Sequence, residues 1–149
     1  MNMLKYAKSI PFNMIHVCIG EYDHFQMKGY AYNITIESPI EFFDIHEIIL
    51  RFEEVFNKNG NPLSSHLSRS FMKQEAVGRY QNKPEVLCDW ETIAKKRGKI
   101  TDFDIVVQSR RQATWQGSLF FDGQEIVFQD VLEMIKIIDK KMNELLKKS

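Results

Sequence analysis

The most unusual polar segment of the chain reads Arg-Arg-Gln-Ala-Thr-Trp-Gln and runs from Arg110 to Gln116. The guanidinium groups of Arg110 and Arg111 can bind a phosphate or a carboxylate through paired hydrogen bonds. The amides of Gln112 and Gln116 add donors and acceptors, and the indole of Trp115 can stack on a planar ligand. The segment therefore predicts a binding site where one strand turns into the next. The alternative is a hairpin end with a core tryptophan and solvated arginines.

A second group of cations lies at Lys95, Lys96 and Arg97. Lysines and arginines together number 20, as do aspartates and glutamates, so the formal net charge is zero at pH 7. Proteins that bind nucleic acid or an anionic membrane usually carry a basic excess, so any such binding here must use a local patch. The three cations form that candidate patch together with Arg110 and Arg111. The alternative is a solvated helix end.

A polar run after Pro62 brings hydroxyl groups and an imidazole together. It consists of Ser64, Ser65, His66, Ser68, Arg69 and Ser70. Serine beside histidine invites a hydrolase interpretation, but the Gly-x-Ser-x-Gly turn of many hydrolases is missing and no acidic partner can be placed. We keep Arg69 as a further candidate for binding, and the segment as an alternative candidate for catalysis.

The remaining reactive side chains predict no metal or cofactor site. The four histidines are scattered, without the spacing that places two ligands on one face of a helix. The two cysteines, Cys18 and Cys88, are too far apart for a paired zinc motif and are expected to be small buried or half-buried residues. The glycines are isolated, so no phosphate-binding loop is predicted.

The predicted elements follow the same order twice, three strands and then a helix. In the C-terminal half the strands are 103–109, 115–121 and 125–128, with an Asp122-Gly123 hairpin turn before the last of them. Asp130 caps the helix that follows, and Glu133 completes a capping box. In the N-terminal half the strands are 13–19, 27–37 and 40–43, and Asp44 with Glu47 caps a helix that ends before residues 59–62.

Residues 40–57 can be laid on residues 126–143 without a gap, and six of the eighteen positions are identical. This predicts an α+β fold of two pseudo-repeated β-β-β-α units, each an antiparallel meander followed by a helix. The half-repeats are 12–58 and 103–149, the insertion is 59–102, and all of them belong to a single domain, 1–149. Convergence of two similar motifs is the alternative. The pattern leaves open whether the halves form one sheet or two and whether the insertion is functional or passive.

The apolar residues predict neither a membrane span nor a signal peptide. No stretch approaches the roughly 18 to 20 apolar residues that a spanning helix needs, and residues 1–10 lack an apolar run of signal-peptide length. We therefore expect a cytoplasmic protein that does not associate with a membrane.

The segment 113–117, Ala-Thr-Trp-Gln-Gly, resembles a motif in a family of small uncharacterised proteins from gut Gram-positive bacteria. The hairpin and the helix start at 128–135 also fit that family, as do segments 29–33, 39–42 and 69–71. The family pattern has Arg-Gln-Asn-Ala before Thr-Trp, whereas this chain has a second arginine, Arg111, and a glutamine, Gln112. The resemblance implies the same order of elements and carries no activity.

The leading functional hypothesis is a non-enzymatic binding module, an adaptor or an inhibitor, because no catalytic residue, metal or cofactor is predicted. Its partner would be a protein or an acidic or phosphorylated ligand, bound at Arg110, Arg111, Gln112, Trp115 and Gln116. Nucleic-acid binding by the local basic patch and a small hydrolase at 64–70 are the alternatives. A homodimer is also open.

Overall fold

The computed structural model describes residues 11–23, 26–60 and 84–148. In these ranges the chain forms six strands and three α-helices, so the predicted α+β class is confirmed. The elements are β1 Met14–Asp23, β2 Gln26–Tyr32, β3 Ile40–Phe42, α1 Ile45–Asn59, α2 Trp90–Ala94, β4 Thr101–Ser109, β5 Gln116–Phe121, β6 Gln124–Phe128 and α3 Val131–Lys148.

All six strands belong to one antiparallel sheet in the order β3-β2-β1-β4-β5-β6. The first three strands form one meander, the last three form another, and the two join where β1 pairs with β4 at the centre. The central strands suit that place because their buried residues are continuous rather than alternating, which is typical of a strand covered on both faces. The choice between one sheet and two is thus settled in favour of one.

Helices α1 and α3 cover the same face of the sheet, here called the helix face. Alternate residues of β1, namely Ile15, Val17 and Ile19, join one hydrophobic core with the buried stripes of both helices. Those stripes recur at the spacing of one helical turn and consist of Ile48, Phe52 and Phe56 in α1 and Met134, Ile138 and Met142 in α3. Each fully buried aliphatic or aromatic side chain stabilises the fold by about 1.5–3 kcal/mol, before the entropy of ordering is subtracted.

The opposite face of the sheet, here called the outer face, is covered at its centre by residues 84–100. Trp90 of α2 packs against Met14, Val106 and Phe120 of three neighbouring strands. The side chain of Asp89 caps α2 by accepting a hydrogen bond from the backbone N–H of Thr92. Part of the predicted insertion therefore completes the packing of the sheet.

Both long helices begin with the predicted capping boxes. In α1, the carboxylate of Asp44 accepts from the N–H of Glu47 at 3.1 Å, and Glu47 accepts from the N–H of Phe43 at 2.8 Å. In α3, Asp130 accepts from the N–H of Glu133 at 2.7 Å, and Glu133 accepts in turn from the backbone at position 129. These bonds satisfy N–H groups that have no partner within the helix.

The prediction of a strand over 27–37 is wrong in its second half, because β2 ends at Tyr32. Asn33 is almost fully buried and forms a side-chain turn, in which its Oδ1 accepts from the backbone N–H and the hydroxyl of Thr35. Its amide nitrogen donates to the carbonyl of Met14 on the next strand at 2.9 Å. Asparagine competes with strand pairing through bonds of this kind, and here they turn the chain toward β3.

Candidate functional site

Arg110 is 3% exposed, so the expectation that it lies at the surface is corrected. Its Nη1 donates to Oδ1 of Asn57 at 2.8 Å and to Oε2 of Glu53 at 3.3 Å, both on α1. Its guanidinium also lies 5.8 Å from the centre of the Phe56 ring. The end of β4 runs beneath α1, and this brings position 110 into contact with the helix instead of solvent.

Trp115 is also buried, in line with the alternative of a core tryptophan. Its Nε1 donates to Oε1 of Glu53 at 2.5 Å, and its ring meets that of Phe56 edge-on at 5.7 Å. One carboxylate thus accepts from both Arg110 and Trp115, and it joins α1 to the connection between β4 and β5. These two buried side chains support the β4–β5 connection and are not accessible to a partner.

The turn between β4 and β5 exposes the other predicted residues, Arg111 and Gln112. Its backbone is unusual, because Gln112 has φ 58° and ψ 38° and the next residue, Ala113, also has φ 58°. The left-handed region is unfavourable for residues that carry a Cβ, and two in succession are rarer still. The turn is therefore strained and must be held in place by its surroundings.

Gln116 holds the turn through three hydrogen bonds. Its Oε1 accepts from the hydroxyl of Ser109 at 2.7 Å and from the N–H of Arg111 at 2.8 Å. Its Nε2 donates to the carbonyl of Arg111 at 3.0 Å. At the other end, the hydroxyl of Thr114 accepts from the first N–H of α3, that of Val131, at 2.8 Å. Gln116 thus positions the turn.

A polar cleft of about 400 Å³ opens beside the turn at the start of α3. We call its lining the turn surface, and it consists of Arg111, Gln112, Thr114, Gln116, Gln129 and Asp130. One guanidinium, three amides, a hydroxyl and a carboxylate converge there. The turn surface can donate and accept hydrogen bonds, but it offers no hydrophobic floor.

Lys95, Lys96 and Arg97 are exposed, as a binding patch requires. The carbonyl oxygen of Lys96 lies 2.7 Å from Nε2 of His16, a residue of β1 whose side chain is on the outer face. Arg97 lies 3.7 Å from the carboxylate of Asp102 on the same face. Arg110 lies on the helix face, so the sheet separates it from these three cations. The described residues therefore do not combine Arg110 and the 95–97 cluster in one patch. Arg69 and the run 64–70 lie outside the described residues.

No protein-family model matches the chain, and no curated protein or solved structure is significantly similar to it. The resemblance described above therefore stays a prediction. In the described ranges, no helix has the length and apolar character needed to cross a membrane. Nor does any cluster of three or more His, Cys, Asp or Glu side chains among residues 11–23, 26–60 and 84–148 have an arrangement that could hold a metal ion.

A buried histidine–aspartate pair at the centre of the sheet was not found from the sequence. His16 of β1 and Asp104 of β4 are register partners and are only 3% and 7% exposed. The imidazole Nδ1 lies 2.7 Å from Oδ1 of Asp104, and Nε2 lies 2.7 Å from the carbonyl oxygen of Lys96. The available signal was a polar residue within each of two apolar strands, at Ile-His-Val and Phe-Asp-Ile.

The contacts of His16 determine where its protons lie. A carbonyl oxygen only accepts, so Nε2 must carry a proton and donate to Lys96, while one further proton is shared between Nδ1 and Asp104. Burial by itself lowers the pKa of His16, but the hydrogen bonds to Asp104 and Cys18, the charge of Asp104 and the Lys96 carbonyl outweigh it and raise the pKa to about 10. Burial also raises the pKa of the Asp104 carboxyl, so the pair keeps its shared proton at neutral pH.

Stability is expected to fall as pH rises from 6.5 to about 10, because the ordinary pKa of histidine is 6.5 and that of His16 in the fold is about 10. Below this window both the folded and the unfolded chain hold the proton, and the full stabilisation is present. Within it only the folded chain does, so the contribution of the pair declines by about 1.4 kcal/mol per pH unit. Urea unfolding at pH 6 to 9 measures the slope. The Asp104→Asn variant is the control, and an identical slope in that variant would contradict the assignment.

Proposed function

We propose that the protein is a cytoplasmic, non-enzymatic binding module that presents the turn surface to a protein partner. The observation that carries the proposal is the left-handed backbone of Gln112 and Ala113 at an exposed turn. Each such residue costs about 1–3 kcal/mol, and strain of this kind concentrates at binding and catalytic sites. Ala113 has no polar side chain to offset the cost locally, so the hydrogen bonds of Gln116 and Thr114 must maintain the shape.

A rigid turn favours binding because its conformational entropy is lost on folding and not on association. The mixture of donors and acceptors on the turn surface suits the backbone and polar side chains of a protein. The carboxylate of Asp130 lies in the same cleft as Arg111 and would repel a phosphate, which favours a protein over a phosphorylated ligand. Two free cysteines, Cys18 and Cys88, are compatible with a reducing compartment.

Arg111→Glu is expected to weaken partner binding at least about tenfold while leaving the unfolding free energy within about 0.5 kcal/mol of wild type, because the side chain is exposed. Lys140→Glu, an equal charge change at an exposed position of α3, is the matched control and should bind as wild type does. A photo-crosslinking residue at position 112 identifies the partner, and the same residue at position 140 shows the background.

Ala113→Gly separates strain from contact at the same turn. Glycine adopts positive φ at little cost, so the variant should be as stable as wild type or more so, yet bind more weakly because the turn is freer.

The proposal fails if the protein crosslinked from position 112 is also captured by Arg111→Glu with unchanged affinity. It fails equally if positions 112 and 140 crosslink the same proteins.

We also infer that the chain arose by duplication of a β-β-β-α unit. The first two strands of each half correspond when 88 is added to the residue numbers of the first half, and the third strand and the helix correspond when 86 is added. The two capping boxes support this, because Asp44 and Glu47 have the same hydrogen bonds as Asp130 and Glu133. The buried stripes of α1 and α3 also coincide at the offset of 86. The sequences of relatives test the inference, which requires that their two halves align at these positions.

Two glycines give independent support for the duplication. A Cβ at Gly29 would lie 1.9 Å from the carbonyl oxygen of Cys18, and one at Gly117 would lie 1.9 Å from that of Val106. No side chain fits at either place, and both glycines pair with the residue before a register shift in the neighbouring strand, β1 or β4. The same steric requirement therefore recurs at the offset of 88.

The duplication also accounts for the position of the buried pair. His16 and Asp104 correspond at the offset of 88 and are paired directly in the sheet. A residue of the first half can pair with the residue that corresponds to it in the second half only where the twofold axis relating the two halves crosses the sheet. That axis therefore passes between His16 and Asp104. In a symmetric dimer of single units the two residues would be identical. A complementary His–Asp pair becomes possible once both halves lie in one chain.

A further inference from the structure

A second cleft, of about 280 Å³, lies on the helix face between the first turn of α1 and the middle of α3. Its floor is apolar and includes Met27, Ile135 and Ile138. Polar groups line its rim, and they belong to Tyr22, Gln26, Asp44, His46 and Asp139. An apolar floor with a few polar groups at the edge is the usual composition of a small-molecule site.

The polar end of this cleft is formed by Tyr22 and Asp139. The tyrosine hydroxyl donates to Oδ1 of Asp139. Burial and the bond to Asp139 raise the pKa of Tyr22 to about 12, so the hydroxyl stays protonated and remains the donor at neutral pH. Oδ2 of the same carboxylate is then the acceptor that a ligand in the cleft can use.

The corresponding place in the other half of the chain is filled by the chain itself. At the offsets of 88 and 86, Tyr22 corresponds to Arg110, Met27 to Trp115, and Asp139 to Glu53. There, Oε2 of Glu53 accepts from Arg110 and Oε1 accepts from the indole N–H of Trp115. In the cleft a methionine replaces the tryptophan, and an isoleucine, Ile138, replaces Phe52. The aromatic volume is missing while the carboxylate remains.

We propose that the cleft binds a small planar aromatic molecule with a ring N–H, of the indole class, which donates that N–H to Asp139. Trp115 shows the arrangement within this chain, with its ring against apolar side chains and its N–H on the carboxylate that also holds a neighbouring donor. The choice of ligand chemistry rests on the proposed duplication, whereas the cleft and its carboxylate are observed directly.

The charges around the cleft restrict the ligand further. Two carboxylates, Asp44 and Asp139, lie on the rim, and the imidazole of His46 beside Asp44 is 73% exposed and points largely to solvent. A neutral or cationic ring is therefore accepted, and an anionic one such as indole-3-acetate is disfavoured.

Indole itself is the probe, and protein NMR with the full chain is the measurement. We expect shifts confined to Met27, Ile135, Ile138 and their neighbours, with a Kd on the order of 1 mM for so small a ligand. The analogues 1-methylindole and benzofuran keep the shape but lack the N–H, and should bind at least about fivefold more weakly. Equal affinity for indole and 1-methylindole overturns the proposal. So does the absence of chemical-shift changes at the cleft residues when indole is added to several times the expected Kd.

Two variants test the site from the protein side. Asp139→Ala removes the oxygen that accepts from the ring N–H, so indole should bind at least about fivefold more weakly, whereas Glu144→Ala at an exposed position of the same helix should leave binding unchanged. Met27→Trp should fill the cleft as Trp115 fills its counterpart and should abolish binding. The comparison of indole with 1-methylindole needs no variant, so it decides the proposal whether or not Met27→Trp folds. Arg111→Glu should not alter indole binding, which separates this proposal from the function of the turn surface.

Discussion

Asp104→Leu is expected to lower the free energy of unfolding by about 3–5 kcal/mol, because it breaks a buried pair and leaves the Nδ1 side of His16 without a hydrogen-bonding partner. For a chain of this size each kcal/mol corresponds to roughly 2–4 °C in melting temperature. The loss should therefore be measurable both by calorimetry and by urea unfolding at pH 6.

Two further variants identify the cause of that loss. In His16→Leu/Asp104→Leu neither charge is present, so the double variant should be more stable than the sum of the single losses predicts, by about 1–3 kcal/mol. In Asp104→Asn the asparagine amide can donate to Nδ1 of a neutral His16, while Nε2 of His16 still donates to the carbonyl of Lys96. This variant should therefore lower the free energy of unfolding much less than Asp104→Leu does. Additive single effects would show that the two side chains contribute independently and that the shared proton is assigned incorrectly.

Glu53→Ala is expected to cost about 2–4 kcal/mol, the second largest effect. The change removes the acceptor of the Trp115 indole and one of the partners of Arg110, both of which are almost fully buried. The expected loss stays below that of a fully buried pair because Glu53 is 41% exposed and Asn57 still accepts from Arg110. Thermal unfolding measured by near-UV circular dichroism follows the loss of aromatic packing, to which Trp115 and Trp90 both contribute.

Two neighbouring substitutions serve as controls for this result. Glu54→Ala changes the next residue of the same helix, which is exposed, and should stay within about 0.5 kcal/mol of wild type. Glu53→Gln keeps an oxygen that can accept from the indole N–H of Trp115. Its loss of unfolding free energy should therefore lie between those of Glu53→Ala and Glu54→Ala. If Glu53→Ala is no more destabilising than Glu54→Ala, the carboxylate does not hold the β4–β5 connection in place.

The elements themselves were largely predictable because their signals are local. The capping boxes at Asp44 and Asp130 join residues three or four positions apart, so the sequence contains all the information they need. The Asp122-Gly123 turn likewise requires only positive φ at two adjacent residues, and they have φ 51° and 77°. The error at Asn33 had a different origin, because its side chain bonds to Met14, nineteen residues earlier in the sequence.

The candidate site was predicted in part, for the same reason. Arg111 and Gln112 are exposed at the turn, as the composition of the segment suggested. Arg110 and Trp115 are buried because β4 ends under α1, and their common partner Glu53 lies 57 and 62 residues away from them in the sequence. No pattern within the segment distinguishes an arginine that faces solvent from its neighbour that faces a helix.

The sequence by itself determined the α+β class, the order of strands and helices, the helix starts and the tight hairpin, because interactions within a few residues decide each of them. Only the tertiary structure decided that the two meanders join as one sheet and which side chains meet across it. His16 and Asp104 are 88 residues apart and meet only because β1 and β4 pair in one register. Register depends on burying the correct face of every strand at once, which is a property of the whole fold.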